Sequence, residues 1–448
     1  MTLKLNSYYT SILKLGFPIM IGQLGMIVLG FADTMMVGHY STDALAAASF
    51  VNNVMALPIL ILIGFSNGLT PIIASLFSRG DNKNMSANLY NAGVLNIIVG
   101  LVLTFCTFMM YINLHLMGQP DDILPLIREY FFISMVGIPV VAVTNVQRQF
   151  FDSIGKVQIS MWLMISGNML NIIFNYLLIF GKFGFPELGL AGAGISTVGS
   201  RIIVMIGFFI IMFFRCPYSQ YIRAAFQSHI QKSRIKLVFN TSAPLAVQSG
   251  FEMLFFSFCG IMMGWLGKIE MAAYQILIML SQLGFTIYLS YAAGMSIRIS
   301  QAMGLNNIDD IRISTRCGLR IVLGIAVISS LVFIFLGREI IYCFTSDETV
   351  MRVAIAMIAP LVVYQFMDAT QITMCNALRG IAYVKPLAYI AILSYCIINI
   401  PVAYLFGFTF KWGSTGIIYS FSVGLLFAAA LYGYYYFQRM RDFKNVIC

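Results

Sequence analysis

Residues 92–114 read AGVLNIIVGLVLTFCTFMMYINL, an apolar run that contains no Asp, Glu, Lys or Arg. At 1.5 Å per residue, an α-helix of this length crosses the roughly 30 Å hydrocarbon layer of a bilayer. Similar runs recur along the chain, at residues 59–77, 202–214, 321–336 and 417–437. The alternating ten-residue strands of a membrane β-barrel are absent from the sequence pattern. The sequence therefore predicts an all-α polytopic membrane protein.

The overall composition indicates the same class. Hydrophobic residues make up 60% of the 448 residues, charged residues only 10%, and the mean hydropathy is +0.87. A soluble core could not bury this much apolar surface, so the bilayer is the expected environment. The net charge of +10 does not indicate nucleic-acid binding, because the 27 Lys and Arg residues are spread among loops. The eight cysteines show no CxxC pair and no metal-ligand spacing, and we interpret them as small buried hydrophobic residues.

The distribution of cations predicts how the chain is oriented. Most Lys and Arg residues fall in segments that would share one side of the membrane with both termini. The opposite loops carry few cations and several acids, including Asp121, Asp122 and Glu187. The positive-inside rule then places both termini in the cytoplasm, for a multi-pass protein of the plasma (inner) membrane.

An internal repeat is visible in the sequence at an offset of 226 residues. Pro18 falls on Pro244 and Gly68 on Gly294, and apolar composition alone does not dictate matches of Gly and Pro. We predict twelve transmembrane helices in two pseudo-symmetric bundles of six. The predicted helices cover residues 13–37, 46–77, 89–114, 125–150, 158–182, 190–214, 237–265, 272–303, 314–337, 350–378, 384–410 and 414–437.

The repeat predicts an amino-terminal lobe at residues 1–214 and a carboxy-terminal lobe at 237–448, joined by a polar, basic cytoplasmic connector at 215–236. Because each lobe holds an even number of helices, the lobes share one orientation and are related by an axis along the membrane normal. Such folds place a substrate cavity between the two repeats. We expect the chain to act as a monomer.

Three acidic residues fall at membrane depth, where insertion of a charge costs roughly 2.5 to 3.5 kcal/mol. Asp33 lies late in the first predicted helix, and Glu252 and Asp368 lie in the middle of helices of the second half. A carboxyl group that only holds helices together is the alternative in each case. We favour proton or cation binding, because neither Glu252 nor Asp368 has a cation near its depth on its own helix. Tyr364 precedes Asp368 by four residues and shares its face, where its hydroxyl adds an oxygen ligand suited to Na⁺.

The fifth predicted helix carries a polar stripe formed by Asn168, Asn171 and Asn175. Residues spaced three and four apart lie on one face of a helix. That face is predicted to point towards Asp33 or towards the sixth predicted helix, where Thr197 offers another oxygen. Hydrogen bonding between helices without a transport role is an equally supported interpretation of Asn168.

Other charged residues have simpler interpretations. Arg201, Arg298 and Arg379 are predicted to lie near helix ends and to extend their guanidinium groups to the membrane interface. Arg148 and Asp152, four residues apart near a helix end, are predicted to form a local ion pair.

Four segments of the chain resemble the multidrug and toxic compound extrusion (MATE) family, and within it the NorM type. They are FADTMMVGHYSTDALAAAS at 31–49, LNIIFNYLLIFGKFGFPELGLAGAGIST at 170–197, QSGFE at 248–252 and YQFMDATQ at 364–371. The resemblance covers essentially the whole chain. It implies the MATE/MOP-type fold of twelve helices.

The resemblance also implies roles for particular residues. The amino-lobe cation or proton site would comprise Asp33, Asn171, Asn175 and Thr197. The carboxy-lobe site, which would bind Na⁺ or H⁺, would comprise Glu252, Tyr364 and Asp368. Pro18 matches the proline at which the first helix of the family is proposed to bend. Asn175 departs from the pattern of prokaryotic relatives that have aspartate there, and the missing charge favours Na⁺ at the carboxy lobe over a purely proton-driven amino lobe.

The implied function is secondary active antiport, in which cationic amphipathic drugs and dyes leave in exchange for Na⁺ or H⁺ and no other cofactor is needed. A lipid-linked oligosaccharide flippase is the first alternative, but it should have a strongly cationic cavity, whereas the mid-membrane charges noted above are acidic. A membrane-embedded enzyme is disfavoured, because the three histidines fall in loops or at helix ends and no nucleophile-elbow serine motif occurs. A passive channel is disfavoured because no selectivity-filter loop is visible.

Overall fold

The computed structural model describes residues 2–447, and the side chains of residues 5–443. Within this range the chain is helical and has no β-strand, which confirms the predicted all-α class. The first half contains α1 (Thr2–Tyr40), α2 (Thr42–Asn67), α3 (Leu69–Ser78), α4 (Asn82–Ile112), α5 (Leu124–Ser153), α6 (Val157–Ile179), α7 (Gly189–Phe214) and α8 (Tyr218–Phe226). Short 3₁₀ helices lie at Leu114–Met117 and Lys182–Gly184.

The second half has a similar order of helices with more interruptions. It contains α9 (Lys232–Leu266), α10 (Lys268–Gly304), α11 (Ile308–Tyr342), α12 (Glu348–Ala356), α13 (Ile358–Gly380), α14 (Lys385–Ala391), α15 (Ile400–Tyr404) and α16 (Gly413–Ile447). Two π-helical segments, Ile392–Asn399 and Leu405–Thr409, flank α15. Pro401 of α15 has no N–H to donate to the carbonyl four residues earlier, which accounts for an irregular helix at this point.

The membrane-spanning helices agree with the predicted set. Eleven stretches of the described residues are long and apolar enough to cross a membrane, counting α2 with α3 and the stretch Lys385–Thr409 as one span each. Helices α12 and α13, bent by 44° at the break between them, supply a twelfth if the pair is one span. Several helices are longer than predicted, because polar residues at their ends continue the helix where no Gly or Pro stops it.

The contacts divide the chain into two compact units. The amino unit comprises Ile21–Ala246, and the carboxy unit comprises the chain from Val247 onwards together with the residues up to Met20. The predicted lobes, 1–214 and 237–448 with the connector 215–236, describe the sequence repeat and stay a prediction. The contact units differ from them in the first parts of α1 and α9, and α8 of the connector packs within the amino unit.

The chain passes from one contact unit to the other after Met20 and after Ala246, each two residues after a proline inside a helix. Pro18 lies within α1 and Pro244 within α9, and the two prolines are partners in the repeat. Helix α1 is continuous from Thr2 to Tyr40, so the bend expected at Pro18 stays a prediction. The repeated proline position therefore marks the point where each helix passes from one unit to the other.

Close backbone approaches anchor the first parts of α1 and α9. Within the carboxy unit, a Cβ atom on Gly294 of α10 would lie 2.9 Å from the backbone nitrogen of Gly16. Within the amino unit, a Cβ atom on Gly68 would lie 2.5 Å from the Cα atom of Ser242. Gly68 and Gly294 are repeat partners, and so are Gly16 and Ser242. Each unit thus has a crossing between repeat-related positions at which only glycine leaves room for the opposing backbone.

Candidate functional site

The four residues predicted for the amino-lobe site come together in the amino unit. Asn175 Nδ2 donates to Asp33 Oδ1 at 2.5 Å and to Asn171 Oδ1 at 3.0 Å. Asn171 in turn lies 3.1 Å from Thr197 Oγ1. Because Asn171 and Asn175 are four residues apart, α6 presents both amides on the face that meets α1 and α7. Both asparagines are fully buried, so these contacts form away from solvent.

The Asn171 amide has two possible orientations, which a 180° rotation interconverts. The Asn171 atom nearest Asp33 lies 2.8 Å from Asp33 Oδ1. When that atom is nitrogen, it donates to the carboxylate, and the amide oxygen accepts from Thr197 Oγ1 at 3.1 Å and Thr197 N at 3.2 Å. The Asn171 nitrogen then faces Asn175 Nδ2 at 3.0 Å as a second donor, so the Asn175–Asn171 hydrogen bond is absent in this orientation. When it is oxygen, only a protonated Asp33 can donate to it. Asn171 can therefore hydrogen-bond Asp33 in either protonation state, and it keeps its hydrogen bond from Asn175 only when Asp33 is protonated.

One acceptor of this cluster is left over. Asn175 Oδ1 is buried and has no hydrogen-bond partner within the described part of the chain. A buried, unsatisfied acceptor costs about 1–3 kcal/mol, a cost that a bound cation or proton donor would remove. The amino cluster thus has the carboxylate of Asp33 and a neighbouring free oxygen available to a positively charged group.

Replacing Asn175 by leucine tests the hydrogen bond to Asp33. We expect the variant to lose about 1.5–3 kcal/mol of stability, because a buried hydrogen bond to a charged group is removed. Thermal unfolding of the purified protein measures the loss, with Asn175→Leu compared in the natural and Asp33→Asn backgrounds. A loss of equal size in both backgrounds would show that the charge of Asp33 does not contribute.

Arg201 is not where the sequence analysis placed it. It lies about midway along α7 rather than near a helix end, so the predicted extension to the interface is wrong. Its half-buried side chain reaches α5, where Nη1 lies 3.9 Å from the position that a Cβ atom on Gly137 would take. It interacts electrostatically with Asp33 and Tyr130. Its distance from both ends of the predicted helix at 190–214 is a signal in the sequence for this mid-helix position.

The other charged residues lie at the predicted positions along their helices, but Arg379 is buried, only 7% exposed, instead of extending its guanidinium group to the interface as predicted. Arg298 and Arg379 are near the ends of α10 and α13, and Arg298 Nη1 donates to Ser11 Oγ at 3.1 Å within the carboxy unit. Arg148 and Asp152 form an ion pair with Nε and Oδ2 3.5 Å apart.

The carboxy unit brings the second predicted set together. Helix α9 carries Glu252, and α13 carries Tyr364 and Asp368. The Asp368 carboxyl group interacts electrostatically with Glu252, and the Tyr364 hydroxyl interacts with both acids. Asp368 is only 2% exposed, and its Oδ2 atom has no hydrogen-bond partner among the described residues. Neither acid forms an ion pair in that part of the chain.

A shell of neutral polar groups surrounds these acids, and the sequence analysis did not identify it. Tyr288 donates from its hydroxyl to Gln365 Oε1 at 3.0 Å, and Gln371 Nε2 donates to the hydroxyl of Tyr395 at 3.4 Å. Tyr395 lies in the first π-helical segment and interacts electrostatically with the two acids. Gln365 and Gln371 stand three residues before and after Asp368, a spacing that shares its helix face and was readable in the sequence.

The donor set of the carboxy cluster decides which ions suit it. No group of three or more His, Cys, Asp or Glu side chains within the described range is placed to hold a metal ion. The cluster instead offers two carboxyl groups and phenol and amide oxygens, which are hard ligands. The unpartnered Oδ2 of Asp368 shows that an acceptor is available. The residues present therefore fit Na⁺ or a proton better than a transition metal.

Comparison with known families finds two matches in the chain. The family profile described as MatE matches residues 18–177 and again residues 244–405. The second match begins at Pro244 and the first at Pro18, which is the offset of the predicted repeat.

Known proteins resemble the chain over nearly its full length. It is 26% identical over 434 residues to the multidrug resistance protein NorM of Vibrio vulnificus (strain YJ016), covering 95% of this chain and 94% of that protein. It is 26% identical over 443 residues to NorM of Vibrio cholerae serotype O1, covering 97% and 96%. It is 26% identical over 444 residues to the multidrug resistance protein MdtK of Pectobacterium atrosepticum, covering 95% of each.

Solved structures share the fold. A crystal structure of MATE in the bent conformation superposes with a TM-score of 0.89 at 19% identity, covering 97% of this chain and 96% of the other. An outward-facing multidrug resistance MATE family transporter of the MOP superfamily superposes with a TM-score of 0.88 at 18% identity, covering 98% and 97%. These similarities confirm the predicted MATE-type fold.

Proposed function

Because the chain belongs to the MatE family, the multidrug and toxic compound extrusion transporters, we propose that it is a secondary active multidrug efflux antiporter. Its cargo is cationic amphipathic small molecules, including drugs and dyes, and the exchanged ion is Na⁺ or H⁺. The names of the relatives, multidrug resistance proteins NorM and MdtK, support efflux of this kind. They also agree with the prediction that the chain is a transporter and not an enzyme.

The observation that carries the proposal is the pair of acids in the carboxy unit. Asp368 is buried with an unpartnered carboxylate oxygen, and the nearby Glu252 carboxyl adds a second negative charge. Two neighbouring carboxylates without a cation are unstable in a low-dielectric environment, so the pair favours uptake of a proton or a cation. Binding or release of the coupling ion therefore changes the electrostatic free energy of the site. An ion-driven carrier requires such a change to shift its conformation.

The chain's own groups suggest how coupling arises. Glu252, Tyr364 and Asp368 would hold Na⁺, whose single positive charge would offset one of the two negative charges of the carboxylates. A proton on either acid would likewise remove one of the two negative charges. A coupling ion that binds one conformation better than the other shifts the balance towards that conformation, and alternating access follows from such a shift.

The location of the protein belongs to the same proposal. The chain is a multi-pass membrane protein, and we assign it to the inner membrane with both termini in the cytoplasm because of the cation distribution. We further propose that it acts as a monomer.

Dye efflux from proteoliposomes tests the function directly. The purified protein is reconstituted with a fluorescent cationic dye inside, and an inward Na⁺ gradient or an inward H⁺ gradient is imposed separately. We expect at least one gradient to accelerate dye release above the rate of protein-free vesicles, and the effective gradient identifies the coupling ion. Release at the protein-free rate under both gradients would reject the antiporter.

A further inference from the structure

The mid-helix arginine of the amino unit has no role in the function proposed so far. An arginine at the centre of a membrane-spanning helix is costly and is retained where a partner or ligand compensates it. Yet Arg201 has no hydrogen bond or ion pair to any other residue that the structure describes. Its side chain is half-buried, so its guanidinium group is neither sealed in the core nor at a helix end. The guanidinium donors of Arg201 are therefore not occupied by another described residue.

A second donor lies on the neighbouring helix. Asn168 Nδ2 is buried and has no partner among the described residues. It lies 3.0 Å from the position that a Cβ atom on Gly25 would take, so it points towards α1. Asn168 precedes Asn171 on α6 by three residues, and Arg201 follows Thr197 on α7 by four. Because α6 and α7 are antiparallel, both donors lie about one helical turn, roughly 6 Å, to the same side of the Asn171–Thr197 contact.

The hydrogen-bond acceptors of the amino unit lie at a different level along α6 from these two donors. The carboxylate of Asp33 and the unpartnered Oδ1 of Asn175 are adjacent, because the Asn175 amide donates to Asp33. Asn175 and Asn168 are seven residues apart on α6, so the amino unit presents negatively polarised oxygens at one level and positively polarised nitrogens about two helical turns away. The electrostatic interaction between Arg201 and Asp33, without an ion pair between them, is consistent with this separation.

We propose that Arg201 makes the amino unit selective for zwitterionic cargo, by binding a carboxylate of the transported molecule while Asp33 and Asn175 bind its cationic group. The planar guanidinium group suits a carboxylate because it donates two parallel hydrogen bonds. Asn168 supplies a further donor for the same anionic group. The inference rests on the proposed function and adds a specificity-determining residue to it.

The charge of Arg201 has the opposite consequence for cargo that is only cationic. A fixed positive charge beside Asp33 lowers the attraction of the amino unit for a second cation. Removing that charge should therefore leave transport of a purely cationic dye unchanged or raise it, while transport of the zwitterion falls. A merely structural arginine would affect both cargoes alike, so the ratio of the two rates separates the two roles.

The test uses two rhodamine dyes that share one fluorophore, a zwitterion with a free benzoic carboxylate and its methyl ester, which is a cation. Initial efflux rates of both dyes are measured in proteoliposomes containing the natural protein, Arg201→Gln or Arg201→Lys. We expect Arg201→Gln to lower the ratio of zwitterion to ester efflux by about tenfold or more, which is the effect of losing a charge-assisted hydrogen bond. Arg201→Lys keeps the charge without the planar fork and should give an intermediate ratio.

The controls distinguish a failure of this inference from a failure of the proposed antiporter function. Arg128→Gln removes an exposed arginine of the same unit and should leave the ratio unchanged. Binding of both dyes to the purified variants, followed by fluorescence polarisation, gives the same ratio without transport. Efflux of the ester but not of the zwitterion by the natural protein would overturn the inference and leave the antiporter in place. An unchanged ratio in Arg201→Gln would also overturn it, and efflux of neither dye would reject the antiporter itself.

Discussion

Replacing Asp368 by asparagine is expected to abolish gradient-driven dye efflux while the protein still folds and inserts. Asp368 is buried in the carboxy unit, and its unpartnered Oδ2 atom is the acceptor available to a coupling ion. Asparagine has nearly the same shape but cannot carry a negative charge or take up a proton at this position. The variant would therefore keep its packing and lose the energetic link to the ion gradient.

Efflux under the effective gradient, measured in proteoliposomes with matched protein content, checks this prediction. Asp122→Asn is the matched control, because Asp122 is exposed and lies far along the chain from both acidic clusters. Glu252→Gln should reduce efflux as well, since it removes the second charge of the pair. Efflux by Asp368→Asn at the rate of the natural protein would show that coupling does not pass through this carboxyl group.

Gly68→Ala and Gly294→Ala are expected to destabilise the protein and to reduce efflux strongly. At both positions the added Cβ atom would lie within 3.0 Å of opposing backbone, that of Ser242 for Gly68 and that of Gly16 for Gly294. Backbone cannot move aside as the end of a side chain can, so the helices must separate. Overpacking of this kind costs about 1–3 kcal/mol.

Thermal unfolding of each variant measures the loss, and efflux from proteoliposomes measures its effect on transport. Gly93→Ala in α4 and Gly324→Ala in α11 are matched controls, because a Cβ atom at either position meets nothing within 4 Å. These controls should be neutral or slightly stabilising, since alanine is the better helix former. If Gly68→Ala and Gly294→Ala melted at the temperature of the controls, the two glycine crossings would not be tightly packed in the functional protein.

The spacing of polar residues predicted much of the candidate sites. Asn171 and Asn175 are four residues apart on one helix, which required their amides to share a face wherever that helix packed. The same rule placed Tyr364 beside Asp368. The pairing of α1 with α6 and of α9 with α13 was predicted from the repeat and the family resemblance. Spacing within one helix carries no information about which helices lie next to it.

Other features depended on packing that no local pattern encodes. Tyr395, in the first π-helical segment, interacts with Glu252 of a helix more than 100 residues earlier in the chain. The amide of Asn171 can donate to Asp33 or accept from it because these residues of different helices lie 2.8 Å apart. Arg201, by contrast, lies about twelve residues, roughly 18 Å, from either end of α7, which is farther than its side chain reaches and was readable in the sequence.

The sequence alone determined that this chain is a bundle of membrane-spanning helices in two related halves. In lipid, an apolar run satisfies its backbone hydrogen bonds only in a helix or a closed barrel, and the sequence pattern of a barrel is absent. Matches of Gly and Pro revealed the repeat. Only the tertiary structure decided which unit each helix segment joins. The starts of α1 and α9 pack with the helices of the other half, at crossings where Gly16 meets Gly294 and Gly68 meets Ser242. Such close approaches depend on which backbones meet in space, and the order of residues along the chain does not contain that information.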